Sequence, residues 1–141
     1  MTELNRESAM ILTQKAEEEK FKGRKKELEV TIATKINEAI NNGNYSCSFC
    51  TFASLLDIVE QKKEYEKRGF SFFVRNTYWR TLHGDNGYYV HEISIFWGNN
   101  EKFQRLKYFI YECQCGYKYA SINKSKVYHC NKQLKGKEMH T

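Results

Sequence analysis

The sequence predicts an α+β fold, with N-terminal helices packed on a small, mainly antiparallel sheet and a basic, β-rich C-terminal third. Three observations predict it. Apolar residues recur every three to four positions up to about residue 42, the period drops to two after Gly43, and Gly84-Asp85-Asn86-Gly87 divides two alternating segments in mid-chain. With 141 residues, 40% hydrophobic and 15% aromatic, the chain has the length and ring area for one packed domain.

In the first segment Leu28, Ile32, Ile36 and Ala39/Ile40 fall on one helical face, and Gly43 lies where a helix C-terminus favours a left-handed residue. Upstream, Leu4, Ile11/Leu12, Ala16 and Phe21 form a sparser stripe beside a run of solvated charge. Gly23 predicts a break or bend, because glycine costs about 1 kcal/mol against alanine inside a helix. Residues 1–22 are therefore expected as a helical arm or oligomerisation segment, 23–131 as a single α+β domain and 132–141 as a basic tail.

After Gly43, Tyr45, Cys47 and Phe49 alternate with smaller residues and predict a strand over 45–52. Ser54 and Asp57 have the spacing of an N-terminal cap for a helix through Leu55, Ile58/Val59 and Tyr65, ending before Gly69. A second strand begins at Phe70. The turn at 84–87 supplies residues that tolerate positive φ, so a hairpin is expected, with Tyr89, His91, Ile93, Ile95 and Trp97 along one face of its second strand. The opposite face is only half apolar, which suits a cover from a helix or another chain. Residues 101–112 fit either a helix or a strand. The strand is favoured from about Leu106, followed by a turn at Gly116 and short strands over 117–120 and 126–130.

The net charge of +6 is concentrated. Residues 1–43 and 44–98 are each neutral, while 99–141 carry nine Lys/Arg against three Glu. Such a field attracts phosphates, nucleic acid or an acidic protein face. The polar N-terminus does not fit a signal peptide, no apolar run approaches a membrane span, and five cysteines are an odd number. A cytoplasmic setting with reduced thiols and no membrane contact is expected.

The site candidates follow from these features. Gly-x-Ser-x-Gly, His-Glu-x-x-His and Gly-rich phosphate loops are absent, so no catalytic residue is assigned and no enzyme is expected. Around the central hairpin, Arg75, Tyr78, Trp79, Arg80, Tyr88, Tyr89 and His91 combine stacking rings with bidentate cations and are the expected contacts for a nucleotide-like anion. In the basic third, Lys118, Lys124, Lys126 and Lys132 alternate with Tyr117, Tyr119 and Tyr128, a pattern that suits single-stranded nucleic acid.

Neither a cofactor nor a metal is assigned. Cys47-Ser-Phe-Cys50 has a zinc-knuckle gap, but on a strand the two thiols point apart. Cys113 and Cys115 can share a face, and the Gly116-Tyr117 that follows resembles a zinc ribbon. The remaining donors are His129 and Cys130, which as neighbours are expected to diverge. Small buried thiols are the main reading, with a zinc-stabilised module as the third of three.

Asn37-Glu38-Ala39-Ile40 before Gly43, Lys67-Arg68-Gly69-Phe70, and Ile93-Ser94-Ile95-Phe96-Trp97-Gly98 resemble small accessory proteins of bacteriophages of Gram-positive bacteria. The resemblance covers roughly residues 28–98 and not the cysteine-bearing third. It implies a homo-oligomer that inhibits host defence or machinery by sequestering a nucleotide signal or an acidic host protein. The alternative is a nucleic-acid-binding protein using the basic C-terminal third.

Overall fold

A computed structural model of the chain describes residues 5–80, 87–99 and 102–141, without the side chains of Phe21, 78–80 and 87–89. The element order is α1 (Arg6–Asn41), β1 (Ser46–Thr51), α2 (Leu55–Lys67), β2 (Ser71–Arg80), β3 (Gly87–Phe96), β4 (Lys107–Glu112), β5 (Lys118–Ser121), β6 (Val127–His129), β7 (Lys132–Leu134) and β8 (Gly136–His140). Helices followed by antiparallel sheets are the α+β arrangement the sequence predicts. Among the described residues, no helix is long and apolar enough to cross a membrane.

α1 starts at a reciprocal cap, where Asn5 accepts from the Ser8 backbone N–H and the Ser8 hydroxyl accepts from that of Asn5. It then runs for 36 residues without interruption, about 54 Å at 1.5 Å per residue. The predicted break at Gly23 does not occur, because good helix formers on both sides outweigh one glycine. Among the described side chains, the buried residues of α1 all lie in its second half. Leu28, Ile32, Ile36 and Ala39 are buried, whereas Met10, Ile11 and Leu12 are more than half exposed. The helix closes through Asn42 and Gly43, the latter with φ +75°.

β1, β3 and β2 form one antiparallel sheet in that order, with Phe49 opposite Ile93 and Val74 opposite Ile93 on the other side. Ile93, Ile95, Phe72 and Val74 meet Leu55, Ile58 and Val59 of α2 and the apolar stripe of α1. Ser54 caps α2 by accepting from the Asp57 N–H, as its sequence position predicts. One charged side chain lies inside this layer. Lys62 falls on the buried stripe of α2, fully enclosed, and donates to the Phe72 carbonyl at 2.6 Å and to the Glu66 carboxylate. The pairing lets a cation sit where a leucine would be expected.

A second antiparallel sheet, in the order β5-β4-β8, shares this core through Leu106, Tyr108 and Ala120. The strand reading of 107–112 therefore holds. Gln104 ties the two sheets together. Its side-chain amide accepts from the Val74 N–H at 2.7 Å and donates to the Val74 carbonyl at 2.9 Å, occupying the free edge of β2. The segment expected as a basic tail is structured: β7 pairs with β6, and β8 lies along β4 from Gly136 to His140. Half-buried Leu134 and Met139 explain it, since they give the lysine-rich stretch an inward side.

Candidate metal centre

Two hairpin tips converge at one end of the second sheet. The first joins β4 to β5. Its turn is closed by Gly116 N–H to the Cys113 carbonyl and Cys113 N–H to the Tyr117 carbonyl, both 2.9 Å, and Gly116 takes φ +97°. A residue with a Cβ strains such a turn. The chain reversal leaves Cys113 and Cys115 side by side.

The second tip joins β6 to β7, where His129 pairs with Lys132 across a two-residue loop. Both loop residues are left-handed, Cys130 at φ 51° and Asn131 at φ 59°. Two positive φ angles are what a type I′ hairpin requires. Asparagine adopts them readily, but cysteine there is an uncommon conformation that the surroundings must hold in place. The turn corrects the expectation that adjacent His129 and Cys130 diverge, because a left-handed residue swings its side chain back across the preceding one.

The result is a tetrad. The ligating atoms of Cys113, Cys115, His129 and Cys130 all lie within 4.8 Å of one another. The Cys115 and Cys130 sulfurs each stand 3.3 Å from His129 Nδ1. A tetrahedral zinc ion, about 2.3 Å from sulfur and 2.0 Å from nitrogen, spaces its donors about 3.5–3.8 Å apart. The tetrad matches that set in donor type and number, and its atoms lie close enough together for small side-chain shifts to close them on one ion. Tyr117 stacks on the His129 ring at 4.1 Å and 2°, fixing the imidazole plane that aims Nδ1 inward.

The electrostatics of the cluster are those of a site that wants a cation. A hydrogen bond from the Cys115 backbone, then one from His129, pulls the Cys113 thiol down to about 6. Contacts with Cys115 and Cys113 push Cys130 up to about 11. The first thiolate forms easily, and the last resists placing another negative charge beside it. These cysteines are half-buried or exposed, which corrects the buried-thiol reading. Cys47 and Cys50 do stay apart: Cys47 packs against the core, where burial raises its thiol, and Cys50 is exposed on the other face of β1.

Of the hairpin candidates, the side chains of Arg75 and His91 are described. Arg75 lies opposite Glu92 on the outer face and pairs with it at 2.9 Å, holding that carboxyl below its usual range. His91 lies opposite Asn76, on the face that carries Ile93 and Ile95. Arg75 and His91 thus address opposite sides of the sheet. The side chains of Tyr78, Trp79, Arg80, Tyr88 and Tyr89, and the turn at 84–86, lie outside the described residues. Of the basic set, Lys118 pairs with Glu112 at 3.7 Å, while Lys124, Lys126 and Lys132 are exposed with no acidic partner among the described residues, and Lys132 lies opposite His129 beside the tetrad.

Two hollows flank the tetrad and meet at Cys115. The larger, about 1290 Å³, lies between α1 and the β4–β5 tip and is lined by Phe52, His91, Tyr117 and Tyr119 together with Glu17, Glu18, Lys20, Arg24 and Lys118. The smaller, about 480 Å³, is bounded by Cys113, Cys130, Glu112, Lys132 and Lys135. Comparisons with protein-family models, with curated proteins and with solved structures find no match.

Proposed function

We propose that the chain is a non-catalytic binding protein whose C-terminal third contains a zinc-stabilised double-hairpin module. The observation that carries this reading is the convergence of Cys113, Cys115, His129 and Cys130 within 4.8 Å from two separate hairpins. Soft thiolates with one imidazole in a tetrahedral set favour zinc, and four protein donors leave no open position for a substrate or water. The role that fits is structural.

The module needs such a link. β6 and β7 are three residues each, and neither contains a fully buried residue. An isolated two-stranded hairpin is marginal in water even when longer. Structural zinc in comparable small folds supplies about 10–16 kcal/mol of apparent binding free energy, which becomes folding free energy. The left-handed Cys130 is supported by the same link, since ligation compensates the strain of its backbone.

The test is metal content and spectroscopy on the full chain. One zinc per chain is expected after purification without chelator, falling well below half in Cys115→Ser and in His129→Ala. Replacement by cobalt(II) should give the intense near-ultraviolet band of thiolate-to-cobalt charge transfer. A protein that retains no stoichiometric zinc, and whose cobalt spectrum lacks that band, would overturn the proposal.

A further inference from the structure

We infer that the zinc-held module binds single-stranded nucleic acid, with bases entering the larger hollow and the backbone crossing the metal knuckle toward the lysines of the smaller one. The inference rests on the zinc reading for the shape of the surface. Its chemistry comes from two other observations, exposed rings and unpaired cations.

The rings come first. Phe52 is 76% exposed, Tyr119 41% and Tyr117 38%, and all three line the larger hollow. Tyr117 has one face covered by His129, which holds the ring rigid and leaves its other side for a partner. Rings exposed along a cleft are good platforms, because base stacking contributes about 1–3 kcal/mol per base without regard to sequence. A duplex keeps its base faces stacked internally and cannot use them. An acidic protein surface gains little from them.

The cations come second. The larger hollow has mixed charge, with Glu17 and Glu18 facing Lys20, Arg24 and Lys118, so it does not attract an anion by net field. The field lies just beyond it. Lys124, Lys126, Lys132 and Lys135 are exposed with no ion pair among the described residues, and Lys132 and Lys135 border the smaller hollow. Because both hollows reach Cys115, a strand can place bases against the rings and phosphates among these lysines without leaving the module. Glu112, which also borders the smaller hollow, is engaged by Lys118. Among the described residues of the module, no helix is available to enter a major groove, which again favours a single strand over a duplex.

The experiment is fluorescence anisotropy of the zinc-loaded full chain with labelled oligothymidylate of about a dozen nucleotides, against a duplex of equal length and against polyglutamate. The single strand should bind tightest. Its affinity should fall with salt at a log–log slope near −2 to −3, as expected for about three or four neutralised phosphates. Phe52→Ala and Tyr119→Ala should each weaken it by roughly five-fold to a hundred-fold, the range set by loss of one stacked base. Lys132→Gln should reduce the slope by about 0.7. Both aromatic positions are solvent-facing, and circular dichroism would confirm that each variant is folded.

Three results would overturn the inference: no binding, equal or tighter binding to duplex or polyglutamate, or aromatic variants that bind like the parent. Zinc is counted in the same samples. A zinc-loaded chain that ignores the oligonucleotide sinks this inference alone. A chain that binds the oligonucleotide through Phe52 and Tyr119 without zinc supports it and sinks the zinc reading.

Discussion

The helix-covered sheet and the knuckle-held sheet solve the same problem by different chemistry. In the first, α1 and α2 lay Ile32, Ile36, Leu55 and Ile58 over Phe72, Ile93 and Ile95, so burial of branched side chains carries the stability. In the second, only Leu106, Tyr108, Tyr111 and Ala120 are buried, and the outlying β6–β7 hairpin contributes none of them. What the second lacks in apolar area it makes up by bringing four metal-ligating side chains together. The difference teaches where each half is vulnerable: one to cavities, the other to loss of ligands.

Metal withdrawal combined with a core truncation should separate the two halves, and it is the largest effect expected. With chelator, amide protection in β6, β7 and β8 should collapse while β1, β2 and β3 keep theirs. Ile58→Ala should do the reverse. Ile58 is fully buried, and the cavity should cost about 2–5 kcal/mol in the helix-covered half while the zinc count stays at one per chain. If chelator and truncation lower protection in the same strands to the same extent, the halves form one cooperative unit and the contrast fails.

A smaller effect probes how the second half is packed where it does have a core. A Cβ at Gly136 would stand 2.8 Å and 2.9 Å from two ring carbons of Tyr111, a fully buried tyrosine whose hydroxyl accepts from the Ser125 N–H at 2.9 Å. The ring cannot retreat without losing that bond. Gly136→Ala should therefore destabilise by about 1–3 kcal/mol in a denaturant titration. The loss should persist at saturating zinc, since the Cβ meets the Tyr111 ring and not a side chain of the tetrad. A neutral Gly136→Ala would mean that zinc alone holds this sheet.

Most of the first half could be read in the sequence, and little of the second. Stripes such as Leu28-Ile32-Ile36 and the alternation around Ile93 and Ile95 translate directly into buried faces, because burial there depends on period alone. Lys62 shows the limit of that reading: it falls on the apolar stripe between Val59 and Tyr65, yet nothing in the pattern reveals the carbonyl that receives it. The tetrad was hidden for a different reason. Its donors come from two hairpins, and convergence depends on the φ of one residue, Cys130. A signal was present in Asn131, which tolerates positive φ and stands between two short alternating segments as a type I′ turn requires. Gly23 misled in the opposite direction, since one weak residue does not break a helix whose neighbours all favour it.

Acid should act on the two halves by separate routes, and the smallest prediction isolates the route through the first. His91 sits at the end of the helix-covered face, opposite Asn76, and its Nδ1 and the Asn76 Oδ1 are buried with no hydrogen-bond partner among the described residues. Burial holds the imidazole below its ordinary 6.5, so the folded chain takes up this proton later than the unfolded chain does. The unfolded state then binds more protons, and stability must rise with pH across that window. The contribution is fully present above about pH 6.5 and is lost as pH falls from there toward the lower folded-state value. Thiolate protonation weakens the knuckle over a similar range in any variant that keeps the tetrad, so the informative quantity is a difference. Between about pH 7.5 and pH 5.5 the melting temperature of the parent should fall further than that of His91→Gln, by an amount corresponding to less than about 1.4 kcal/mol. Equal losses would place all of the acid sensitivity in the metal-held half.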